Sequence, residues 1–102
     1  MAMVTRETLK YRIHAIQETT ADRITVSDVL TVVNDGEIIK SYPDDKPYPS
    51  RLMFAPVGNR PIHVVVAFDA ATGITWLVTA YVADPEVWEA DWKTRKPRKD
   101  KK

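Results

Sequence analysis

Two apolar runs separated by a short polar loop dominate the pattern of hydrophobic and polar positions along the chain. Residues 62–68 and 74–82 are rich in β-branched and aromatic side chains, which favour buried strands. Asp69 suits the start of a turn between the runs, and Gly73 can take the positive φ that closes a short loop. The pattern therefore predicts a β-hairpin around which the rest of the chain is arranged.

The register of this hairpin predicts which side chains reach the core. If Phe68 pairs with Ile74, one face is purely apolar, because side chains alternate along each strand. Its members would be Val64, Val66, Phe68, Ile74, Trp76 and Val78. The other face is mixed and holds His63, with Tyr81 diagonal to it. We therefore expect a functional surface to develop on the face of His63 and Tyr81.

Helical periodicity precedes the strands. Leu9, Ile13 and Ile16 recur at i, i+4 and i+7, which predicts a first helix from about residue 8 to about residue 21. A short strand over residues 9–13 is an alternative for the start of this stretch. In the helical interpretation, His14 lies on a flank of the apolar stripe.

A second helix has clearer boundaries. Thr25 and Asp28 have the spacing of a capping box, and apolar residues follow at helical intervals up to Val33. Gly36 then supplies a stop in the left-handed conformation. The two helices would lie next to each other in the chain before any of the strong strands.

The remaining elements complete an α+β fold. We predict strands over residues 37–42 and 51–56, separated by a loop with three prolines. Asp84 and Pro85 indicate the start of a last helix over residues 85–93. The order predicts two N-terminal helices packed on one face of a four-stranded, mostly antiparallel sheet, followed by a short C-terminal helix. The other, concave face of the sheet would stay open to solvent.

Charge divides the chain into two parts. Residues 93–102 hold seven of the fifteen Lys and Arg residues and one of the fourteen acidic residues, a net charge of +6, so residues 1–92 carry −5. We therefore predict a single domain over 1–92 and a basic, disordered tail over 93–102. The tail is either a solvated terminus or a contact for an anionic partner such as nucleic acid. The candidate phosphate contacts are Lys46, Arg51, Arg95, Lys96 and Arg98.

Composition limits the chemistry and the compartment. The chain has no cysteine and only two histidines, so thiolate sites and a catalytic zinc are not expected, and no cofactor motif occurs. Because no apolar run is long enough to span a membrane, we expect a soluble, cytoplasmic protein. Acid–base chemistry without a metal remains. A base at His14 or His63, a cation at Arg51 and a proton donor at Tyr81 would meet the needs of RNA cleavage, although each also has a purely structural interpretation.

Several segments resemble a known family. Its most specific match runs from Tyr42 to Arg51, YPDDKPYPSR, and it is accompanied by HVVVA at 63–67 and by the stretch TAYVADPEVW at 79–88. The chain resembles an uncharacterised bacterial domain of unknown function that is distantly related to RelE/ParE-type toxins. The resemblance implies a small α+β domain, ribonuclease activity, and RNA and a small antitoxin protein as partners.

The chain departs from this family along the first helix. Where family members carry arginines, this sequence has Glu18 and Asp22, and Arg23 stands where glycine is usual. Carboxylates in place of cations repel phosphate. Two hypotheses therefore stay open: a toxin-like, metal-independent endoribonuclease, in which catalysis is weakened, and a non-catalytic module of the same fold that binds a protein.

Overall fold

The computed structural model describes residues 3–97, which fold into two helices and a five-stranded mixed sheet. The elements are β1 (Leu9–Tyr11), α1 (Ile13–Ala21), α2 (Val26–Asp35), β2 (Glu37–Tyr42), β3 (Ser50–Val57), β4 (Arg60–Asp69) and β5 (Ile74–Val82). The strand order is β1-β5-β4-β3-β2, in which β1 runs parallel to β5 and the other neighbours are antiparallel. The fold is α+β, but the prediction of a four-stranded, mostly antiparallel sheet with a C-terminal helix is wrong.

The first strand lies inside the segment predicted to be helical. Leu9 is buried in β1 beside β5, so a short strand is the better description of this stretch. Ile13 and Ile16 do lie in α1, but they are 78% and 50% exposed. The predicted apolar stripe is wrong, because the buried positions of α1 are instead Ala15 and Thr19. These small side chains allow the helix to lie close to the edge of β5.

The second helix begins where the sequence predicts its cap. The Thr25 hydroxyl accepts the N–H of Asp28 at 3.0 Å, and the Asp28 carboxylate accepts the N–H of Thr25 at 2.9 Å. The helix ends at Gly36, whose φ of −81° is not left-handed. Glycine is needed there for space, because a Cβ would lie 2.5 Å from the Val32 carbonyl oxygen and 2.6 Å from that of Phe54.

The hairpin of β4 and β5 forms, but its register differs from the predicted one. The observed pairs include Asp69–Ile74, Phe68–Thr75, Val66–Leu77, Val65–Thr79 and His63–Tyr81. The first pair after the loop is Asp69–Ile74, where Phe68–Ile74 was predicted, so the register is shifted by one residue. A bulge next to Val65 shifts it by one more residue. Leu77 and Ala80 therefore face the core of the protein, where Trp76 and Val78 were expected.

The segment after β5 is not a helix. We call residues 84–97 the strap. One turn forms as the Asp84 carbonyl accepts the N–H groups of Val87 and Trp88 at 2.9 and 3.0 Å. The chain then reverses, and Trp88 forms an isolated antiparallel bridge with Arg95. The helix predicted over 85–93 is therefore wrong.

Apolar clusters lie on both faces of the sheet. The main core lies between the helices and one face, and its fully buried members include Val29, Val32, Ile62, Val64, Val66 and Leu77. A smaller cluster on the opposite face contains Leu52, Ala83 and Trp88. The strap thus covers one end of the face that was expected to be entirely open.

Candidate functional site

The part of the strap-side face that remains open forms a groove of about 450 Å³. Its floor follows one row of paired residues across four strands, from Lys40 through Leu52 and Val65 to Thr79. The strap closes one end of this row. We call it the open-face groove, and it is lined by Ile39, Lys40, Tyr42, Leu52, Val65, Thr79, Tyr81, Trp88, Lys93 and Arg95.

Three cations surround the open-face groove, and they come from two separate parts of the chain. Lys40 on β2 lies with its ammonium 5.6 Å from the centre of the Tyr42 ring. The strap contributes Arg95, whose guanidinium lies 5.6 Å from the centre of the Trp88 ring. It also contributes Lys93, which forms an ion pair of 3.2 Å with Glu37. Basic side chains and aromatic rings in one groove are a combination that suits nucleic acid.

His63 lies directly opposite Tyr81 in the pairing of β4 and β5, whereas the predicted register placed the two residues diagonally. It is fully buried, though beneath the strap and not beneath the helices. Its Nε2 lies 2.7 Å from the Trp92 carbonyl oxygen and its Nδ1 lies 3.3 Å from the Tyr81 hydroxyl. Since a carbonyl oxygen only accepts, Nε2 carries the proton, and Nδ1 accepts from Tyr81. Both ring nitrogens are therefore occupied by protein groups.

Burial sets the acid–base behaviour of this pair. Desolvation lowers the pKa of His63 below its ordinary value, and the hydrogen bond to the Trp92 carbonyl offsets part of that shift. Desolvation also raises the pKa of Tyr81, against the opposing effect of the nearby Arg95 charge. A neutral imidazole and a neutral phenol are thus favoured at the strap end of the groove.

The second histidine has a very different environment. His14 is 70% exposed on α1, and its Nε2 lies 3.2 Å from the Glu18 carboxylate. Glu18 also accepts a hydrogen bond from the Thr79 hydroxyl, which belongs to the lining of the open-face groove. The charge of Glu18 acts on Tyr81 as well. His14 and Glu18 therefore form an accessible pair beside the groove, on the side of β5.

A second hollow of about 280 Å³ lies between α1 and the loop after β2. His14, Lys46, Tyr48 and Arg12 are among its lining residues, together with Ala67 from the same face of β4 that bears His63. Lys46 therefore lies on the same side of the sheet as the open-face groove. Cations thus occur at both ends of this face.

Arg51 is not part of this arrangement. It pairs with Val66, which is buried in the main core on the helix side of the sheet. Its guanidinium lies 4.7 Å from the centre of the Phe68 ring on that side. Among the predicted catalytic residues, the structure brings His14, His63 and Tyr81 to one face and leaves Arg51 on the other. The expectation that Arg51 lies within reach of His63 and Tyr81 is wrong, because residues on adjacent positions of one strand alternate in direction.

The predicted phosphate contacts are placed in three different ways. Arg95 lines the open-face groove, and the backbone N–H of Lys96 bonds to the Val87 carbonyl in the strap. Lys46 lines the second hollow. Arg98 lies outside the described residues. The assignment of residues 93–102 as a disordered tail stays a prediction, and its described part, residues 93–97, continues the strap.

Sequence reasoning missed Lys40, Tyr42 and Lys93 as groove residues. A signal for the first two exists, because Lys40 and Tyr42 alternate along β2 and so share a face. Lys93 had no such signal, since its position depends on the reversal of the strap. From the sequence, Glu18 was interpreted only as the replacement of an arginine. In the structure, its carboxylate connects His14 to Thr79 of the sheet.

Two features that would indicate a class of protein are absent from the part of the chain that the structure describes. Between residues 3 and 97, no group of three or more His, Cys, Asp or Glu side chains is placed to hold a metal ion. No helix in that same range has the length and the apolar character needed to cross a membrane.

Comparison with known proteins gives a family. The sequence profile of the family described as "Domain of unknown function (DUF4258)" matches residues 11–82, which is more than half of the chain. The chain belongs to this family. The matched part of the DUF4258 domain runs from the end of β1 to the end of β5, so it contains His14, His63 and Tyr81 but not the strap. No curated protein and no solved structure matches the chain.

Proposed function

We propose that this DUF4258 domain binds RNA along the strap-side face of the sheet and cleaves it without a metal, as a toxin-like endoribonuclease. The observation that carries the proposal is the gathering of Lys40, Lys93 and Arg95 around the open-face groove, with the exposed pair of His14 and Glu18 beside it. A kinship with RelE/ParE-type toxins and a bacterial source are part of the same proposal.

The chemistry requires a proton acceptor next to a bound phosphodiester. In the proposed reaction, the His14 imidazole takes the proton of a ribose 2′-hydroxyl, and the 2′-oxygen attacks the phosphorus. The 5′-oxygen leaves with a proton from water, which yields a 2′,3′-cyclic phosphate and a 5′-hydroxyl, and the imidazolium returns its proton to solvent. Glu18 orients the imidazole, and Lys46, which lines the same hollow as His14, stabilises the charge on the phosphate, while Arg95 holds the RNA further along the face.

The acidic residues of α1 fit this proposal better than their charge suggests. Glu18 accepts from the Thr79 hydroxyl, and the Asp22 carboxylate accepts the N–H of Val82 at 3.1 Å. Both carboxylates thus bind α1 to β5. Their hydrogen bonds account for their presence without a role in repelling RNA.

Cleavage of a fluorescent single-stranded RNA by the purified full chain, in the presence of EDTA, tests the proposal. We expect His14→Ala to lower the rate about 10²-fold or more, because a positioned acid–base group contributes that much. Arg95→Ala should weaken RNA binding, whereas Arg51→Ala should not, because Arg51 lies on the helix side. An inactive wild-type protein, or cleavage that does not depend on His14, would contradict the proposed activity.

A second candidate function is a non-catalytic module that binds a protein. The observation in its favour is the exposure of Ile13 and Ile16, one turn apart on α1. In this case, induced expression would have the same effect on growth in the wild type and in His14→Ala. A growth arrest that His14→Ala relieves would instead favour the ribonuclease. A small antitoxin protein as the partner belongs to either candidate.

A further inference from the structure

The strap delivers two of the three cations of the open-face groove, although little of it belongs to a regular element. Its own hydrogen bonds shape it: the Asp91 carboxylate accepts the N–H groups of Lys93 and Thr94 at 2.9 and 3.0 Å and the Thr94 hydroxyl at 2.9 Å. These bonds lower the pKa of Asp91, because they favour the ionised carboxylate. Lys93 and Arg95 follow directly from this turn.

The shape of the strap does not by itself hold it on the sheet. Trp88 packs edge-on against the His63 ring, with 4.5 Å between the ring centres. The Trp92 carbonyl oxygen, which comes one residue before Lys93, accepts from His63 Nε2 at 2.7 Å. The other polar atom of the ring is held by Tyr81, which is part of the sheet. His63 therefore connects the sheet to the turn that bears the two cations.

The rest of the contact at His63 contributes no charge. The rings packed on the imidazole are those of Phe54 from β3, Tyr81 from β5 and Trp88 from the strap. Loss of the hydrogen bond to the Trp92 carbonyl would leave the buried imidazole N–H without its partner, which costs more than the loss of a bond exposed to water. The bond to Trp92 is thus well placed to control whether the strap stays closed.

We propose that His63 is a positioning residue that latches the strap to the sheet and so holds Lys93 and Arg95 at the open-face groove. This inference rests on the proposed function for its consequence, RNA binding, but the latch itself is a property of the strap. It also differs from the role that the sequence predicted for His63, since a ring with both nitrogens engaged does not need to touch the substrate.

Limited digestion of the full chain with trypsin tests the latch without RNA. We expect His63→Leu to speed cleavage after Lys93 and after Arg95 by about tenfold or more, because it removes the donor to the Trp92 carbonyl. His63→Gln keeps an N–H donor at a similar reach and should restore much of the resistance. Mass spectrometry identifies the two cleavage sites, and circular dichroism confirms that the variants are folded. Equal cleavage rates in the wild type and His63→Leu would overturn the proposal.

The salt dependence of RNA binding tests the consequence. If two phosphate contacts are lost, the slope of log K against log salt should decrease by about 1.4 for a single strand. We expect this decrease in His63→Leu and in the double variant Lys93→Ala/Arg95→Ala. Adding His63→Leu to the double variant should change nothing further, because the cations that the latch positions are already gone. A role in general stability would instead lower the affinity again, and that result would overturn the proposal.

The two measurements separate the latch from the proposed function. Faster trypsin cleavage in His63→Leu, together with no RNA binding by any form of the protein, supports the latch and contradicts RNA as the partner. Unchanged trypsin cleavage, together with RNA binding that depends on Lys93 and Arg95, overturns the latch and leaves the groove as the RNA site.

Discussion

Arg23 occupies a backbone conformation that suits glycine better than arginine. Its φ is +54°, in the left-handed region that costs a residue with a side chain roughly 1–2 kcal/mol. The exposed Arg23 follows the end of α1, where such a conformation commonly ends a helix. A glycine would adopt this conformation without that cost, because it has no Cβ.

We therefore predict that Arg23→Gly stabilises the fold. The relief of strain exceeds the added entropy of the unfolded chain, so the free energy of unfolding should rise by about 0.5–1 kcal/mol in urea denaturation. The control is Gln17→Gly, an exposed position inside α1, which should lower the free energy of unfolding by about 1 kcal/mol. A decrease for both variants would show that the positive φ carries no strain.

Single residues were predictable from the sequence where their partners are close in the chain. The capping box of Thr25 and Asp28 is confirmed, because both groups lie within one turn. Gly36 was predicted as a helix stop for the wrong reason. Its crowding by the Phe54 carbonyl depends on β3, which lies far along the sequence, and no local pattern contains that contact.

Between elements, Arg60 holds the corner of α1 and α2. Its Nη1 donates to the carbonyl oxygens of Asp22 and Arg23 at 2.9 and 3.2 Å, and its Nη2 donates to the Asp28 carboxylate at 3.0 Å. A planar guanidinium reaches the end of one helix and the cap of the next at the same time. This contact joins the start of β4 to both helices.

We predict that Arg60→Lys weakens this corner although it keeps the charge. A single ammonium nitrogen cannot replace two guanidinium nitrogens that reach the end of α1 and the cap of α2 at the same time, so the free energy of unfolding should fall by about 1 kcal/mol, a modest value because the pair is partly exposed. Arg6→Lys is the matched control at an exposed position and should change it by less than about 0.5 kcal/mol. Equal effects of the two substitutions would argue against the corner contact.

The existence of most elements was predictable, but their pairing was not. The strands of residues 37–42 and 51–56 and the hairpin are present, because alternation of side chains is a local signal. The register failed for two reasons: the loop closes on Asp69–Ile74 and not on Phe68–Ile74, and the bulge next to Val65 breaks the period of two further along the strands. The last helix failed because the Asp91 turn and the docking of Trp92 on His63 reverse the chain after a single helical turn.

At the scale of the whole molecule, the candidate site combines parts that are remote in sequence. The groove needs the β2 row with Lys40, the bulged β5 with Thr79, and the strap with Arg95. The sequence identified His14, Tyr81 and Arg95 as candidates, but only the sheet order brings them to one face. Arg51 differs from them because it stands on the alternate side of β3.

The stability of the whole fold should depend on pH because of the buried His63. Its pKa is lowered in the folded state by desolvation, so the unfolded chain binds a proton more readily as the pH falls below about 6.5. The charge-free contacts of His63, from Phe54, Tyr81 and Trp88, offer the imidazolium no carboxylate. Stability is therefore present above this pH and is lost as the pH falls from about 6.5 through the lowered pKa.

Urea denaturation between about pH 7.5 and about pH 5 measures this loss. The free energy of unfolding of the wild type should decrease over this range more than that of His63→Gln, which has no group to titrate there. His14 is present in both proteins and cancels in the comparison. Asp69 and Asp91 have pKa values that are lowered by their hydrogen bonds, so their protonation changes the stability only in a separate range, below about pH 3.8. Parallel curves for the wild type and His63→Gln would mean that the imidazole takes up its proton in the fold as easily as in the unfolded chain, which contradicts its burial under the strap.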